Sequence, residues 1–365
     1  MRRPVNVKRT LFITHRWAGI LLCLFMALWF VSGVVMMYVG YPKLSMAERL
    51  RVLPALDPTS CCLPVGSVIG ALPGGDSPRT VRLTSIGGLP HYVVGLSKNR
   101  ELAIDGRSGT PVAAVDAKFA LKSAAAFASP AEARYRDLVD EDAWTHSKAL
   151  DGHRPLHRVD IDDEARTLLY VSGRTGEVVR RASATERQWG WIGAWLHWLY
   201  PFRGGAVDRW WTEIIIYTSL AGALLGVTGL VSGILRWRRC PYPHGSRSPY
   251  RDWLMRWHHW LGLAFGLLLL TWIVSGLLSV NPWQVFDSGA PRPQLAKLVL
   301  VADGQDDETR RALHCFNAAG LQVRELEWRP MGGETFVLAR DGAGRGRLQG
   351  ASADCAPFEA HELGA

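Results

Sequence analysis

The stretch RWHHWLGLAFGLLLLTWIVSGLL, residues 256–278, sets two adjacent histidines at the mouth of a long apolar run. An unpaired polar group is costly in such a place, so the imidazoles need a reason. A second copy of the pattern narrows it. HRWAGILLCLFMALWFVSG (15–33) aligns with HHWLGLAFGLLLLTWIVSG (258–276) without a gap. His15 falls on His258, Trp17 on Trp260, Gly19 on Gly262, Trp29 on Trp272, and Val31-Ser32-Gly33 on Val274-Ser275-Gly276. A histidine repeated at one depth suggests two helices holding something between them.

The apolar runs at 11–39, 212–236 and 253–280 each exceed the roughly 20 residues needed to cross a bilayer. The segments between them have ordinary soluble composition. The chain therefore reads as a membrane protein: an α-helical transmembrane bundle of three full spans, plus a half-helix over 189–202, with α+β soluble parts. Four regions follow: 1–40 with the first span, 41–188 as an α+β domain of two related units, 189–280 with an interfacial segment and two spans, and 281–365 as a C-terminal α+β segment. The basic leader MRRPVNVKR precedes an apolar core too long for a cleaved signal, and no small-x-small site follows it.

Orientation is read from Lys and Arg beside the spans. Arg2, Arg3, Lys8 and Arg9 precede the first run, and Arg236, Arg238, Arg239, Arg247, Arg251 and Arg256 crowd the link between the second and third. Both places are expected in the cytoplasm, with the large soluble parts outside. The net charge of +9 is thus mostly a topology signal. The soluble parts mix both signs, so no nucleic-acid partner is expected; the partner implied by the runs is lipid.

Of six cysteines, Cys61, Cys62, Cys315 and Cys355 are expected where disulfides form. Cys315 with Cys355 is a plausible bridge, and adjacent Cys61 and Cys62 are poorly placed to join each other. CxxC and CxxCH motifs are absent, which removes the main support for zinc-ribbon, thioredoxin-like and covalent c-haem sites. In the soluble parts, TVRLTS, HYVVGL and RELAID alternate as half-buried strands do, and DAKFALKSAAAFA has helix-forming composition. LAIDGRSGTPV (102–112) and LYVSGRTGEVV (169–179) repeat one strand–turn–strand scheme. The tail follows it loosely, with a helix near 307–318 and strands QVRELEW and TFVLAR. DGAGRGRLQG (341–350) lacks the following helix of a dinucleotide loop and reads as a turn.

His15 and His258 fall in the first turns of two helices running the same way. Facing imidazoles can give both axial ligands to one haem iron, and Gly19 and Gly262 leave room for a flat macrocycle. His259, about 100° around the helix, is either a propionate partner or the true ligand. The plainer alternative is interfacial histidines meeting headgroups. On the outer side, His197 lies in the Trp-rich WGWIGAWLHWLYPFRGG (189–205). A second haem there takes His197 and a partner from His146, His153 or His157. Zinc or copper finds no cysteine or carboxylate ligand at the depth of the histidines.

HRWAG…VSG, DGHRPLHRV (151–159), LYVSGRTGEVVR (169–180), ERQWGWIGAWLHWLYPFR (186–203) and RWHHWLG…TWIVSG (256–276) resemble the PepSY-associated transmembrane family, also called iron-regulated inner-membrane proteins, and within it the FoxB-type siderophore reductases. The resemblance implies a bacterial inner-membrane protein with a PepSY-like periplasmic α+β domain and bis-histidine haem b, two per chain. It implies reduction of ferric siderophore, hydroxamate in type, to Fe(II). The family's HRPL histidine falls on His153, its HWLY histidine on His197, its HH pair on His258 and His259, and its first-helix histidine on His15. The position of His157 is often Tyr there, which ranks it below His153. Many relatives carry a fourth membrane helix, and hydropathy gives three spans here. Nicotinamide and flavin motifs are lacking, so the electron donor is expected to be a quinol or a separate reductase. The rival readings are a haem-free siderophore- or peptide-binding sensor or permease subunit, and a structural anchor beside a peptidase.

Overall fold

The structure, a computed structural model, describes residues 7–59, 61–72, 78–96, 100–203, 206–287, 307–331, 334–350 and 355. Arg2 and Arg3 lie outside the described residues. The helices are α1 (Val7–Tyr38), α2 (Met46–Val52), α3 (Val65–Gly70), α4 (Ala117–Ala128), α5 (Ala184–Gly190), α6 (Trp211–Arg236), α7 (Trp253–Ser279) and α8 (Glu308–Ala318). The strands are β1 (Thr80–Ile86), β2 (Leu89–Gly95), β3 (Glu101–Asp105), β4 (Glu132–Val139), β5 (Leu156–Asp162), β6 (Leu168–Ser172), β7 (Val178–Ala182), β8 (Val323–Met331), β9 (Glu334–Asp341) and β10 (Gly346–Gly350). They divide into two compact units, Met1–Gly40 with Trp189–Ala290, and Tyr41–Gln188 with Pro291–Ala365.

The first unit holds the three helices long and apolar enough to cross a membrane, Val7–Tyr38, Asp208–Arg236 and Trp253–Ser279. α6 packs on both α1 and α7. Its close face is a row of small residues, since helices without a hydrophobic drive between them associate where side chains are least in the way. Within that row Gly222 meets Met26 and Gly229 meets His15 on α1, while Gly226 meets Leu270 and Gly233 meets Leu263 on α7. The row thus serves two neighbours by turns. Residues 189–202 form a short hook: after Gly190 a π-helical turn, Trp191–Trp195, leads to the left-handed Leu199 at φ 55°.

The second unit is built from one scheme used three times: a helix followed by an antiparallel meander. α3 precedes β1–β3, α4 precedes β4–β7, and α8 precedes β8–β10. The first and third share a six-stranded sheet ordered β10-β9-β8-β1-β2-β3, and the second makes its own sheet, β4-β5-β6-β7. The segment set apart in the sequence as 281–365 is therefore the other half of a sheet begun at residue 80. Val81 stands opposite Trp328 and Leu83 opposite Leu326, and all four side chains are fully buried. They share a core with Val65 and Val68 of α3 and with Leu313 and Phe316 of α8. The opposite face gives Ile86, Val93 and Ala103 to Phe119 of α4. α4 starts at Asp116, whose carboxylate accepts from Phe119 N at 2.7 Å. It lays Ala120 and Ala124, one turn apart, on the second sheet.

Cys315 is bonded to Cys355. Cys61 and Cys62, expected apart, are instead bonded to each other; a cis peptide links them, their Cα atoms lie 3.4 Å apart, and both are buried in the shared core. DGAGRGRLQG is the turn and return strand of the β9–β10 hairpin.

The repeated Gly-x-x-Gly segments are the same turn in three dimensions. Gly106 N donates to Pro90 O at 2.9 Å and Gly173 N to Pro155 O at 2.8 Å. Asp105 Oδ1 accepts from the backbone of Arg107 and Ser108, and Ser172 Oγ from that of Arg174 and Thr175. Gly109 and Gly176 close the turns at φ 72° and 76°, a region that favours glycine. At Gly176 a Cβ would also collide with the Phe119 ring. Gly176→Ala is expected to cost about 2–4 kcal/mol, strain and clash together. Gly320→Ala has a φ of 79° but meets nothing within 4 Å, so it should cost only strain, about 1 kcal/mol. Thermal melts of the two full-length variants give the comparison.

Candidate functional site

In the membrane unit, α1 and α7 run the same way on either side of α6. His15 of α1 and His258 of α7 face each other near one end, with ring centroids 6.2 Å apart and planes 31° apart. Near the other end Phe30 of α1 and Trp272 of α7 stand 6.0 Å apart. Gly262, one turn beyond His258, has nothing within 4 Å of where a Cβ would be, and neither has Gly276; Gly19 meets only Leu225 of α6.

His15 leans on α6. Its Nδ1 lies 3.4 Å from Thr228 Oγ1, and a Cβ on Gly229 would come within 2.8 Å of its Cε1. Glycine at 229 is what allows the imidazole to lie there. His259 is different from its neighbour. It is buried, with Nδ1 2.8 Å from Ser248 Oγ and Nε2 2.9 Å from Gly233 O. Both ring nitrogens are engaged, and the ring ties α7 to α6 and to the link between them. Arg236 completes that link, donating to Tyr250 Oη at 2.7 Å and lying 4.2 Å over the Phe12 ring. Of the adjacent pair, His258 is the one presented to His15.

The second imidazole site is at the other end of the bundle. Trp29 Nε1 donates to the carbonyl of His197 at 2.6 Å, and the His197 ring lies with Nδ1 3.1 Å from Ser32 Oγ. Gly33 lets it sit close, since a Cβ there would be 3.3 Å from His197 Cε1. His197 lines a cavity of about 460 Å³ walled by Trp29, Trp198, Tyr200, Trp211 and Trp272, with Met26, Ile273 and Leu277. His15 and Ser32 are 17 residues apart on α1, so the two sites are separated by about 25 Å along the helix axis.

Metal–imidazole bonds are roughly 2 Å long, which sets rings sharing one metal through Nε2 at centroid spacings of about 6 Å. The His15–His258 pair has that spacing. A porphyrin supplies four ligands of its own, so such a site needs only two side chains. Among the described residues no group of three or more His, Cys, Asp or Glu gathers as a bare metal ion would need. At His197 the cavity has the size and apolar lining of a cofactor site. The residues fit haem at both ends.

A family model for the PepSY-associated TM region matches residues 12–314. The chain belongs to that family. No curated protein and no solved structure matches it.

The PepSY-associated match covers most of the soluble unit as well, where the remaining sequence candidates lie. His157 is buried, with Nδ1 3.1 Å from Tyr135 Oη and Nε2 2.9 Å from Val115 O. It is part of the framework. His146 lies against Glu141. His153, at the end of a 3₁₀ turn (Lys148–His153), has Nδ1 3.7 Å from Glu101 Oε2, and neither atom makes a hydrogen bond. Of the three it has the most weakly held ring.

That unit also buries an ionic cluster. Glu325 of β8, fully buried, meets Arg49 at 2.5 Å, Arg82 at 3.1 Å and Arg340 at 3.2 Å. Glu177, in the turn before β7, takes two hydrogen bonds from Arg82 at 2.8 and 3.0 Å. Burial alone pushes the Glu177 carboxyl up, but the Arg82 guanidinium outweighs it and lowers the pKa to about 2. Thr228, Gly229 and Ser248 were not singled out in the sequence. TGLVSG (228–233) carried the signal, small and hydroxyl residues at helical spacing in a span, but nothing in it names a partner.

Proposed function

We propose that the chain is an oxidoreductase of the bacterial inner membrane, carrying haem b, that reduces the Fe(III) of a ferric siderophore to Fe(II) in the periplasm. One observation carries the reading: imidazoles from two parallel membrane helices face each other 6.2 Å apart beside an open glycine. Haem at His15/His258, and a second at His197, would supply one-electron chemistry that side chains lack. The chain's own residues do the rest. α6 fixes His15 through Thr228 and Gly229, α1 fixes His197 through Ser32 and Gly33, and tryptophans give the second site apolar walls. Among the soluble unit's three candidate histidines His153 keeps the loosest ring, since those of His146 and His157 are held by neighbours.

The substrate follows from charge. A siderophore, of hydroxamate type by the family likeness, grips Fe(III) through hard oxygen ligands. Iron gains one electron, a donor on the cytoplasmic side loses one, and Fe(II) with its lower charge is held less tightly. A quinol or a separate reductase is the donor class. The arginines at Arg236, Arg238, Arg239 and Arg247 support a cytoplasmic setting for that end of the bundle by the positive-inside rule.

The test is an optical spectrum of the detergent-purified chain, oxidised and dithionite-reduced, with haem counted by a pyridine assay. Sharp low-spin b-type bands, about two haems per chain, are expected. A folded but colourless protein, expressed with ample haem, would overturn the reading and leave a haem-free siderophore- or peptide-binding subunit in its place.

A further inference from the structure

A hydroxyl group has one proton to give. Ser32 Oγ donates it to Trp29 O in its own helix at 3.0 Å. Thr228 Oγ1 does the same on α6, to Leu224 O at 2.8 Å and Leu225 O at 3.1 Å. With that proton committed, each oxygen can only accept from the imidazole beside it: Ser32 from His197 Nδ1 at 3.1 Å, Thr228 from His15 Nδ1 at 3.4 Å. Both hydroxyl residues are buried, so water does not compete for the contact. Each ring also has a backbone carbonyl in reach, Leu225 O for His15 and Trp29 O for His197, the same carbonyls that take the hydroxyl protons.

We propose that Ser32 and Thr228 are positioning residues that set the tautomer of His197 and His15, holding the proton on Nδ1 and leaving the Nε2 lone pair free to bind a metal. The inference deepens the haem reading and rests on it for its purpose, though not for the proton's place. The partner bonded to the far nitrogen of an imidazole decides which nitrogen can ligate. It also makes the ligand more basic, which favours the oxidised metal. The two sites share this device although they lie at opposite ends of the bundle and on different helices. His259 is the contrast: with Nε2 against Gly233 O, its lone pair is not offered.

The test has two parts on the full-length chain. In haem-free protein carrying ¹⁵N-histidine, the ring-nitrogen resonances of His197 and His15 should report Nδ1 protonated and Nε2 bare. Ser32→Ala should move His197 alone toward the Nε2-protonated form, and Thr228→Val should move His15 alone. Thr228→Ser, which keeps the hydroxyl, should restore the wild-type pattern. In haem-loaded protein, each of the two substitutions should speed haem release from one site by about 10- to 100-fold and raise the midpoint potential of that site only. A wild-type His197 protonated on Nε2, or tautomers unmoved by both substitutions, overturns the proposal. A chain that takes up no haem but gives the expected nitrogen pattern overturns the haem reading and leaves the tautomer assignment standing.

Discussion

On the haem reading proposed above, replacing His15 or His258 by alanine is expected to remove one of two haems, to lower reductase activity by about 100-fold or more, and to leave the other haem's bands in place. The neighbouring substitution gives the opposite result. His259→Ala should keep the haem count near wild type while loosening the bundle by about 2–4 kcal/mol, since Ser248 Oγ and Gly233 O would each lose a buried partner. The discrimination follows from geometry: His258 faces His15 at 6.2 Å, and His259 has both nitrogens hydrogen-bonded at 2.8 and 2.9 Å. Pyridine assay and reduced spectra of the three variants read the count, and thermal unfolding reads the stability. Loss of haem from His259→Ala with retention in His258→Ala would reverse the assignment of the pair.

The second large effect is in the soluble unit. Glu325→Ala is expected to destabilise it by about 3–5 kcal/mol, because three guanidinium groups would be left around one missing carboxylate in a buried place. A domain of this size loses about 2–4 °C in Tm for each kcal/mol, so the melt should fall by roughly 6–20 °C. Hydrogen exchange should locate the loss at β1, β8 and β9, the strands bearing Arg82, Glu325 and Arg340. The cluster also predicts an acid limit. Glu177 has its pKa lowered from 4.5 to about 2 by Arg82 against the opposing push of burial. Its contribution is present in full above 4.5 and is lost as pH falls from there through about 2. Acid unfolding monitored between those values, in wild type and Glu177→Gln, checks it: the variant should lose part of the acid slope.

What could be read in the sequence was whatever has a period or a repeat. The spans announced themselves by length. The α1–α7 likeness placed His15 opposite His258, because two helices of one direction and one pattern put equal positions at equal depth. The GRSG and GRTG turns were legible because a left-handed glycine has few substitutes. The choice between His258 and His259 was not legible, since it depends on Ser248 and on the Gly233 carbonyl, 11 and 26 residues away. Nor was the partition of the soluble unit. Strand alternation announces β8, but its place beside β1 is decided by Trp328 meeting Val81 across the chain. The vicinal disulfide escaped for a related reason: adjacent cysteines are ordinarily held apart by the chain, and only the backbone at Cys61–Cys62 reveals otherwise.

The split sheet imposes an order of events. Arg82 and Glu325, joined in the finished unit, are separated by 243 residues of chain. A ribosome that has made β1 must still deliver two membrane helices before it makes β8. Through that interval β1 keeps one bare edge, and an open edge is an invitation to pair wrongly. Glu325 itself, a charge arriving late at a site already lined by Arg49 and Arg82, acts as a latch that only β8 in its correct register can close. Shortening the wait or blocking the edge, with a tethered β8–β10 peptide or a chaperone, is where yield of this protein would be won or lost.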